Sequence, residues 1–459
     1  MAELSPYGSA APSEELLPPR GNSSTTVPRM NHPAPPPAAI SPALAYAPVA
    51  APRADNWLGT IARWLLVLAV FFSGHGVLKL GGVNLTVADV ALLGAGVIYL
   101  GQRRVNLAPF GSMTPIWLFG LTAMLGGLFV STIAHGDPIR WINIAAQYTT
   151  AFMVLPLILM AVDTQFARRL VLAYIFGVVV SQIVGILAFF YLSPAQTGWI
   201  SPGFLAGNGR VGAMAGEPNP NGATIAFALG MLVYAGRKGL LKPLLAFALS
   251  AVLAWGLLLS ASVTGIAASF LAVTTVLAFT GMGRLVKVAL VVVVAAGLYI
   301  NSGAPLPQTF EKRVGVALST GDVSKAGTFE SRSDLIREAW ERAEDNLFIG
   351  LGADRFREVS PSGQPVHNLH LLIWNEGGAL AYVGLLVMLS LLVIFALAAL
   401  RERREEAAMA LAVVGVLWIY TMSIPHMYSR FWILPAILAL STIYARPTPM
   451  LVPLRPVPA

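Results

Sequence analysis

The chain has 459 residues, of which 56% are hydrophobic and 11% charged, with no cysteine and a formal net charge of +8. A soluble domain carries about 25% charged residues, so this composition indicates a membrane protein. The absence of cysteine excludes disulfides, thiolate metal sites and cysteine nucleophiles. The basic residues lie in short clusters between apolar runs, which indicates topology signals and argues against nucleic acid as a partner.

The N-terminal segment differs from the rest of the chain. Residues 1–55 are rich in proline, alanine and serine and show no apolar periodicity. Such a segment cannot bury enough apolar surface to fold, so it is predicted to be a disordered tail. No basic start precedes an apolar core there, so a cleavable signal peptide is not expected. The first apolar run begins at Ile61 and is predicted to be an uncleaved anchor.

Apolar runs of about 20 residues, the length that a bilayer requires, recur about twelve times in residues 56–446. They cover residues 61–80, 85–101, 115–134, 141–161, 170–192, 219–236, 243–260, 264–282, 285–301, 371–400, 407–424 and 430–446. The predicted fold class is therefore an all-α polytopic membrane protein with about twelve transmembrane helices.

Basic clusters predict the orientation of these spans. If the spans alternate, five clusters fall on one side: Arg103-Arg104, Arg168-Arg169, Arg237-Lys238 with Lys242, Arg284 with Lys287, and Arg401 with Arg403-Arg404. Positive residues mark the cytoplasmic side, so both termini, including a tail at 447–459, are predicted to be cytoplasmic. Residues 302–366 then form a large extracytoplasmic loop that contains short helices.

One helix is readable within that loop. Ser331–Asp334 has the form of a capping box, with Asp in the place of Glu. Apolar residues then recur at helical spacing, as Leu335, Ile336, Ala339, Trp340 and Ala343. Arg332 lies three and four residues before the first two of them, so it is predicted to point toward the membrane domain with them.

Three segments in chain order carry a resemblance to a known family. They are Gly209–Gly222, with Arg210 and Glu217-Pro218-Asn219; Ser331–Gly352; and His367–Gly378, with His367-Asn368 and Glu376. Together with the twelve spans and the large loop, they resemble the O-antigen ligase and polysaccharide polymerase superfamily over residues 56–446.

The resemblance implies a metal-independent glycosyltransferase of the bacterial inner membrane. Its donor is a glycan on a polyprenyl diphosphate, and its acceptor is a saccharide hydroxyl on the outer face of that membrane. Polymerisation of exopolysaccharide or O-antigen repeat units is the reading we favour, and ligation onto lipid A-core is the alternative. No cofactor is predicted, and other polysaccharide export proteins stay open as partners.

The resemblance implies a displacement reaction, in which three residues are predicted to be catalytic. A diphosphate leaving group gains negative charge, which Arg210 and Arg332 would bind. The attacking hydroxyl needs a base with a pKa near neutrality, and His367 is the predicted base.

Five further residues are predicted to bind substrate: Asn368, Glu217, Asn219, Glu376 and Arg430. For Glu217 a capping role at a helix N-terminus is a close alternative, because the helix dipole favours a carboxylate there. Glu376 lies inside an apolar helix, where it is expected to pair with an arginine or to orient His367.

One departure from the family concerns the turn after residue 259. Family members usually carry Ser-x-Ser-Arg there, whereas this chain reads Ser260-Ala261-Ser262-Val263. Either another cation serves the diphosphate, with Arg430 and Arg140 as candidates, or the activity differs.

A transporter or flippase of lipid-linked oligosaccharides is the alternative from another class. Transporters place their polar residues near the bilayer midplane. This chain keeps most of its charge at the predicted outer interface and in the large loop, which favours the enzyme.

Overall fold

The computed structural model describes residues 57–79, 85–281, 307–315, 329–427 and 429–445, with isolated positions between 283 and 303. The predicted tails at 1–55 and 447–459 lie outside the described residues, as does most of the predicted span 285–301. Within the described part the chain is mostly helical and has no β-strand, only two isolated bridges.

The α-helices, in chain order, are α1 Trp57–Phe71, α2 Val87–Gly101, α3 Thr114–His135, α4 Pro138–Thr149, α5 Leu155–Leu159, α6 Thr164–Tyr191, α7 Pro194–Thr197, α8 Pro218–Arg237, α9 Pro243–Ser260, α10 Val263–Thr280, α11 Gln308–Phe310, α12 Phe329–Asp345, α13 Phe356–Val359, α14 Leu369–Ala398, α15 Arg404–Thr421 and α16 Arg430–Tyr444. A π-helical turn at Thr150–Val154 joins α4 to α5, and another at Glu311–Gly315 follows α11. Short 3-10 turns occupy Phe72–Gly74, Gly111–Met113 and Ala213–Ala215.

Many of these helices are suited to a bilayer. In the described part of the chain, seven helical segments are long and apolar enough to cross a membrane. They are Trp57–Gly74, Gly111–His135, Pro138–Leu159, Thr164–Tyr191, Pro243–Ser260, Val263–Thr280 and Leu369–Ala398. Helices α2, α8, α15 and α16 overlap four more predicted spans but are shorter or more polar. The chain is thus an all-α multi-pass membrane protein, and the number twelve stays a prediction.

Local sequence explains where several helices begin. Thr86 and Asp89 form a reciprocal capping box at α2. The side chains of Asp137 and Asp163 cap α4 and α6, and Asn368 caps α14. Each cap gives a hydrogen-bond partner to backbone N–H groups that a first turn leaves open.

Among the described helices, α3 and α14 share the most extensive interface. Small residues line it. A larger residue would not fit at Gly127 of α3, because its Cβ would lie 2.7 Å from the backbone nitrogen of Ala381 of α14. Glycines of this kind let two membrane helices approach closely enough for backbone-to-backbone packing.

A break inside α14 ties the large loop to this interface. Gly378 has φ +70° and ψ −175°, which interrupts the helical hydrogen bonds. The carbonyls of Asn375 and Glu376 instead accept the N–H groups of Leu351 and Gly352, at 2.8 and 3.0 Å. The end of the 302–366 segment is therefore held against the first half of α14.

The helix predicted within the large loop is present as α12. It begins at Phe329, so Ser331 lies in its first turn and the predicted capping box does not mark its start. The prediction was wrong there, because Ser331 and Asp334 both lie inside the helix. The helix ends at Asp345, before Gly350, as expected.

Replacement of Gly378 by alanine should destabilise the fold. The φ/ψ pair of Gly378 is one that only glycine adopts readily, and forcing another residue into it costs about 1–3 kcal/mol. A Cβ would also lie 2.1 Å from the carbonyl oxygen of Phe348. We expect Gly378→Ala to lower the melting temperature of the purified protein in detergent. Gly126→Ala in α3 is the control, because a Cβ there meets nothing within 4 Å. Equal melting temperatures for the two variants would contradict this account of the break.

Candidate functional site

Charged residues gather at both ends of the helical bundle. At one end Arg168, Arg237 and Lys238 pair with Glu405 and Glu406, with N–O distances of 2.7 to 3.2 Å. These carboxylates neutralise the basic residues, so that end is an ion-pair network. The other end, where α8 and α14 begin and α9 stops, holds the predicted site residues and is called the site end below.

Arg210 is fixed in the loop between α7 and α8. The bridge between Leu205 and Val211 folds that loop back on itself. The Arg210 side chain is 7% exposed, and its Nε donates to the carbonyl of Ser260 at 2.8 Å, at the C-terminus of α9. A helix C-terminus carries partial negative charge, which suits a guanidinium. Burial, followed by the charges of Arg313 and Arg332, lowers the pKa of Arg210 to about 10.

Asn219 links Arg210 to neighbouring elements. Its side-chain oxygen accepts Nη2 of Arg210 at 2.8 Å and the hydroxyl of Ser262 at 3.3 Å. Its carbonyl accepts the hydroxyl of Tyr420 at 3.2 Å. Asn219 therefore positions Arg210, the residue predicted to bind the diphosphate. This role differs from direct binding of a sugar.

Glu217 precedes α8 but does not cap it. Its side chain makes no capping hydrogen bond and is exposed at a cavity. The capping alternative was therefore wrong, and glutamate is not among the residues whose side chains usually cap a helix.

Arg332 and His367 lie together at the site end. Both line a cavity of about 520 Å³ that also includes Asp334, Glu338 and Gln364. Burial and then the charge of Arg332 lower the pKa of His367 below its usual 6.5. An uncharged imidazole can accept a proton, so the surroundings of His367 favour the form that a base requires.

His367 also faces a second and larger cavity. This cavity of about 680 Å³ is lined by Lys79, Asp89, Glu217, Asn219, His367, His426 and Arg430, among other residues. Apolar side chains of α1, α2 and α16 complete its walls, including Leu92, Trp432 and Leu434. His367 is thus shared by two cavities, and both have polar and apolar lining residues.

A third arginine, Arg313, lies near Arg210 and Arg332, and the sequence did not single it out. These three residues are called the arginine cluster below. Arg313 lies in the π-helical turn after α11, and burial lowers its pKa. Its charge lowers the pKa of both Arg210 and Arg332. Among the residues that the structure describes, none of these three guanidinium groups forms an ion pair with a carboxylate. The site end therefore carries concentrated positive charge.

Asn368 and His370 have structural contacts. The side-chain oxygen of Asn368 accepts the N–H groups of His370 and Leu371, at 3.0 and 3.2 Å, and so begins α14. His370 packs against Trp418 and hydrogen-bonds Thr421 at 3.0 Å. The cap fixes the direction in which the chain leaves His367.

Among the described residues, Glu376 makes no hydrogen bond to His367 and no ion pair with an arginine, so neither expectation for it is met there. Its oxygens accept the backbone N–H groups of Asp354 and Phe356, at 2.8 and 3.3 Å. The break at Gly378 brings that loop over Glu376, and the backbone donors take the place of a cation. This buried carboxylate ties the loop before His367 to α14.

One group of side chains in the described part of the chain could hold a metal ion. Asp354, Glu376 and His426 offer ligand atoms that lie within 4.8 Å of one another. Nε2 of His426 lies 3.5 Å from a carboxylate oxygen of Glu376 and 3.8 Å from one of Asp354. The group borders the larger cavity, since His426 lines it. It is separate from the arginine cluster.

Arg430 and Arg140 are both paired with carboxylates. Arg430 forms a two-point ion pair with Asp89, in which the Nε–Oδ1 distance is 2.6 Å, and the pair is buried. Arg140 pairs with Glu358 at 2.5 Å. Neither arginine belongs to the cluster of Arg210, Arg313 and Arg332, which argues against either of them as the predicted substitute for an arginine at position 263. Their charges are neutralised by partners that sequence spacing could not reveal.

Comparison with known proteins identifies no matching family model and no similar curated sequence. The geometry of the site end therefore carries the functional argument.

Proposed function

We propose that this protein is a membrane glycosyltransferase. It transfers a glycan from a polyprenyl diphosphate to a saccharide hydroxyl on the outer face of the inner membrane, and it polymerises repeat units. The observation that carries the proposal is the cluster of Arg210, Arg313 and Arg332, which has no carboxylate partner in the described residues, together with His367, which lines one cavity with Arg332. Such a cluster suits an anion with several oxygens, which a diphosphate provides.

The proposed reaction is a displacement at the anomeric carbon. The acceptor oxygen forms a bond to that carbon while the bond from the carbon to the diphosphate oxygen breaks. The hydroxyl proton moves to the imidazole of His367, and the polyprenyl diphosphate leaves with the bonding electron pair. Arg210 and Arg332 stabilise the charge that develops on the leaving group, which is where preorganised cations contribute most.

The larger cavity supports a lipid-linked donor. Its polar residues lie next to Asn219 and His367, while α1, α2 and α16 supply apolar walls. A polyprenyl chain requires apolar surface and its headgroup requires polar surface, so one cavity with both kinds of lining fits this substrate class. The orientation proposed from the basic clusters puts this end outside the cytoplasm.

His367→Ala should abolish glycan transfer, because loss of a general base costs about 10²–10⁴-fold in rate. Arg210→Lys should also impair it, since a point charge cannot replace the planar fork of arginine on phosphate oxygens. The measurement is complementation of a deletion strain, scored by polymer length on a gel, with membrane levels checked by immunoblot.

Arg140→Lys is the matched control for this experiment, because Arg140 pairs with Glu358 away from the cluster. It should support polymer of normal length. Normal polymer from His367→Ala would remove the base assignment, and normal polymer from both site variants would put the active site elsewhere. In the deletion strain, single lipid-linked repeat units should accumulate, whereas long lipid-linked chains would indicate a ligase.

The pH dependence of transfer should report the surroundings of His367. Because burial and Arg332 lower its pKa below 6.5, the base stays uncharged to more acidic pH than a free histidine does. We expect kcat/KM to hold as the pH falls through 6.5 and to decline only below it. Arg332→Gln should move this decline to higher pH, whatever it does to the maximal rate. A decline above pH 6.5, or one that Arg332→Gln leaves in place, would contradict the proposed role of His367.

A further inference from the structure

Arg313 reaches the site through a contact between distant parts of the chain. The hydroxyl of Thr309 in α11 donates to the carbonyl of Asn208 at 3.2 Å, across 101 residues of sequence. Gly209 lies against the same hydroxyl and has φ +79°, a conformation that keeps the loop close to α11. Asn208 in turn accepts the backbone N–H of Arg210 at 3.3 Å. The turn that carries Arg313 is therefore docked two residues from Arg210.

The helical turn then directs Arg313 inward. Arg313 follows Thr309 by four residues, and side chains at that spacing lie on the same face of a helical turn. Its Nε is buried and has no hydrogen-bond partner among the described residues. The neighbouring Glu311 and Lys312 are exposed. A guanidinium N–H that loses its water and gains no hydrogen-bond acceptor costs free energy, unless a ligand supplies that acceptor.

We propose that Arg313 is a third ligand of the diphosphate and supplies the cation that Val263 does not. This inference rests on the proposed function, because it takes the diphosphate as the anion of the site. Ser262, next to Val263, contacts Asn219, and Asn219 holds Arg210, so the turn that lacks an arginine borders the same cluster. Arg313 approaches that cluster from the large loop.

Three cations around one diphosphate also have a chemical consequence. The donor diester carries two negative charges, which Arg210 and Arg332 can match, whereas the released prenyl diphosphate carries a third charge that Arg313 can match, and each charge-assisted hydrogen bond adds to affinity. In this proposal Arg313 contacts the diphosphate headgroup and not the prenyl chain. Inorganic diphosphate and a prenyl diphosphate should therefore depend on Arg313 to the same degree.

The test is a binding measurement on the purified full-length protein in detergent, by calorimetry, with farnesyl diphosphate and inorganic diphosphate as probes. Arg313→Gln should raise the Kd for each probe about 10- to 100-fold. Lys312→Gln removes the same charge from the adjacent exposed position and should leave each Kd within about twofold. Arg313→Ala is the second variant, and melting temperatures are compared so that one poorly folded protein does not decide the result.

The outcomes separate this inference from the proposed function. If wild type binds diphosphate and the Arg313 variants bind as Lys312→Gln does, Arg313 is not a ligand, although the transferase proposal stands. A loss confined to farnesyl diphosphate would overturn the inference as well, since it would point to the prenyl chain. Wild-type protein that binds neither probe would overturn both proposals. Wild-type protein that binds diphosphate but transfers no glycan would support the anion site and overturn the transferase.

Discussion

The central interaction at the site end is the repulsion between the positive charges of Arg210, Arg313 and Arg332. No carboxylate among the described residues neutralises these charges. Arg210 is buried against the end of α9, and the charges of Arg313 and Arg332 lower its pKa further. At the opposite end of the bundle Arg168, Arg237 and Lys238 have Glu405 and Glu406 as carboxylate partners. A protein that leaves one set of arginines unneutralised gives up stability there, and binding of an anion recovers it.

The rest of the fold keeps this arrangement rigid. The break at Gly378 frees backbone carbonyls of α14 to hold Leu351 and Gly352, and Glu376 receives two N–H groups from the same loop. The chain then runs through His367 into the cap that Asn368 provides. The chain on both sides of His367 thus holds it in place. A base that meets substrates from two cavities requires such a fixed position.

Sequence patterns predicted the features that depend on local spacing. Apolar runs located the long helices, the periodicity after Ser331 located α12, and Arg332 and His367, both predicted site residues, line one cavity. Long-range contacts were not predictable. Arg430 pairs with Asp89 across 341 residues, and Arg313 stood in a charged run that reads as an exposed loop. The Gly377-Gly378 pair gave no sign of a break, because glycine is common within membrane helices.

The most direct test of the central claim is reconstitution of the purified protein in liposomes that carry a polyprenyl-diphosphate-linked repeat unit. If the arginine cluster and His367 perform transfer, the glycans should lengthen on one face of the bilayer, with one polyprenyl diphosphate released for each bond formed. Movement of unchanged lipid-linked units from one leaflet to the other, without lengthening, would contradict the account and identify a flippase.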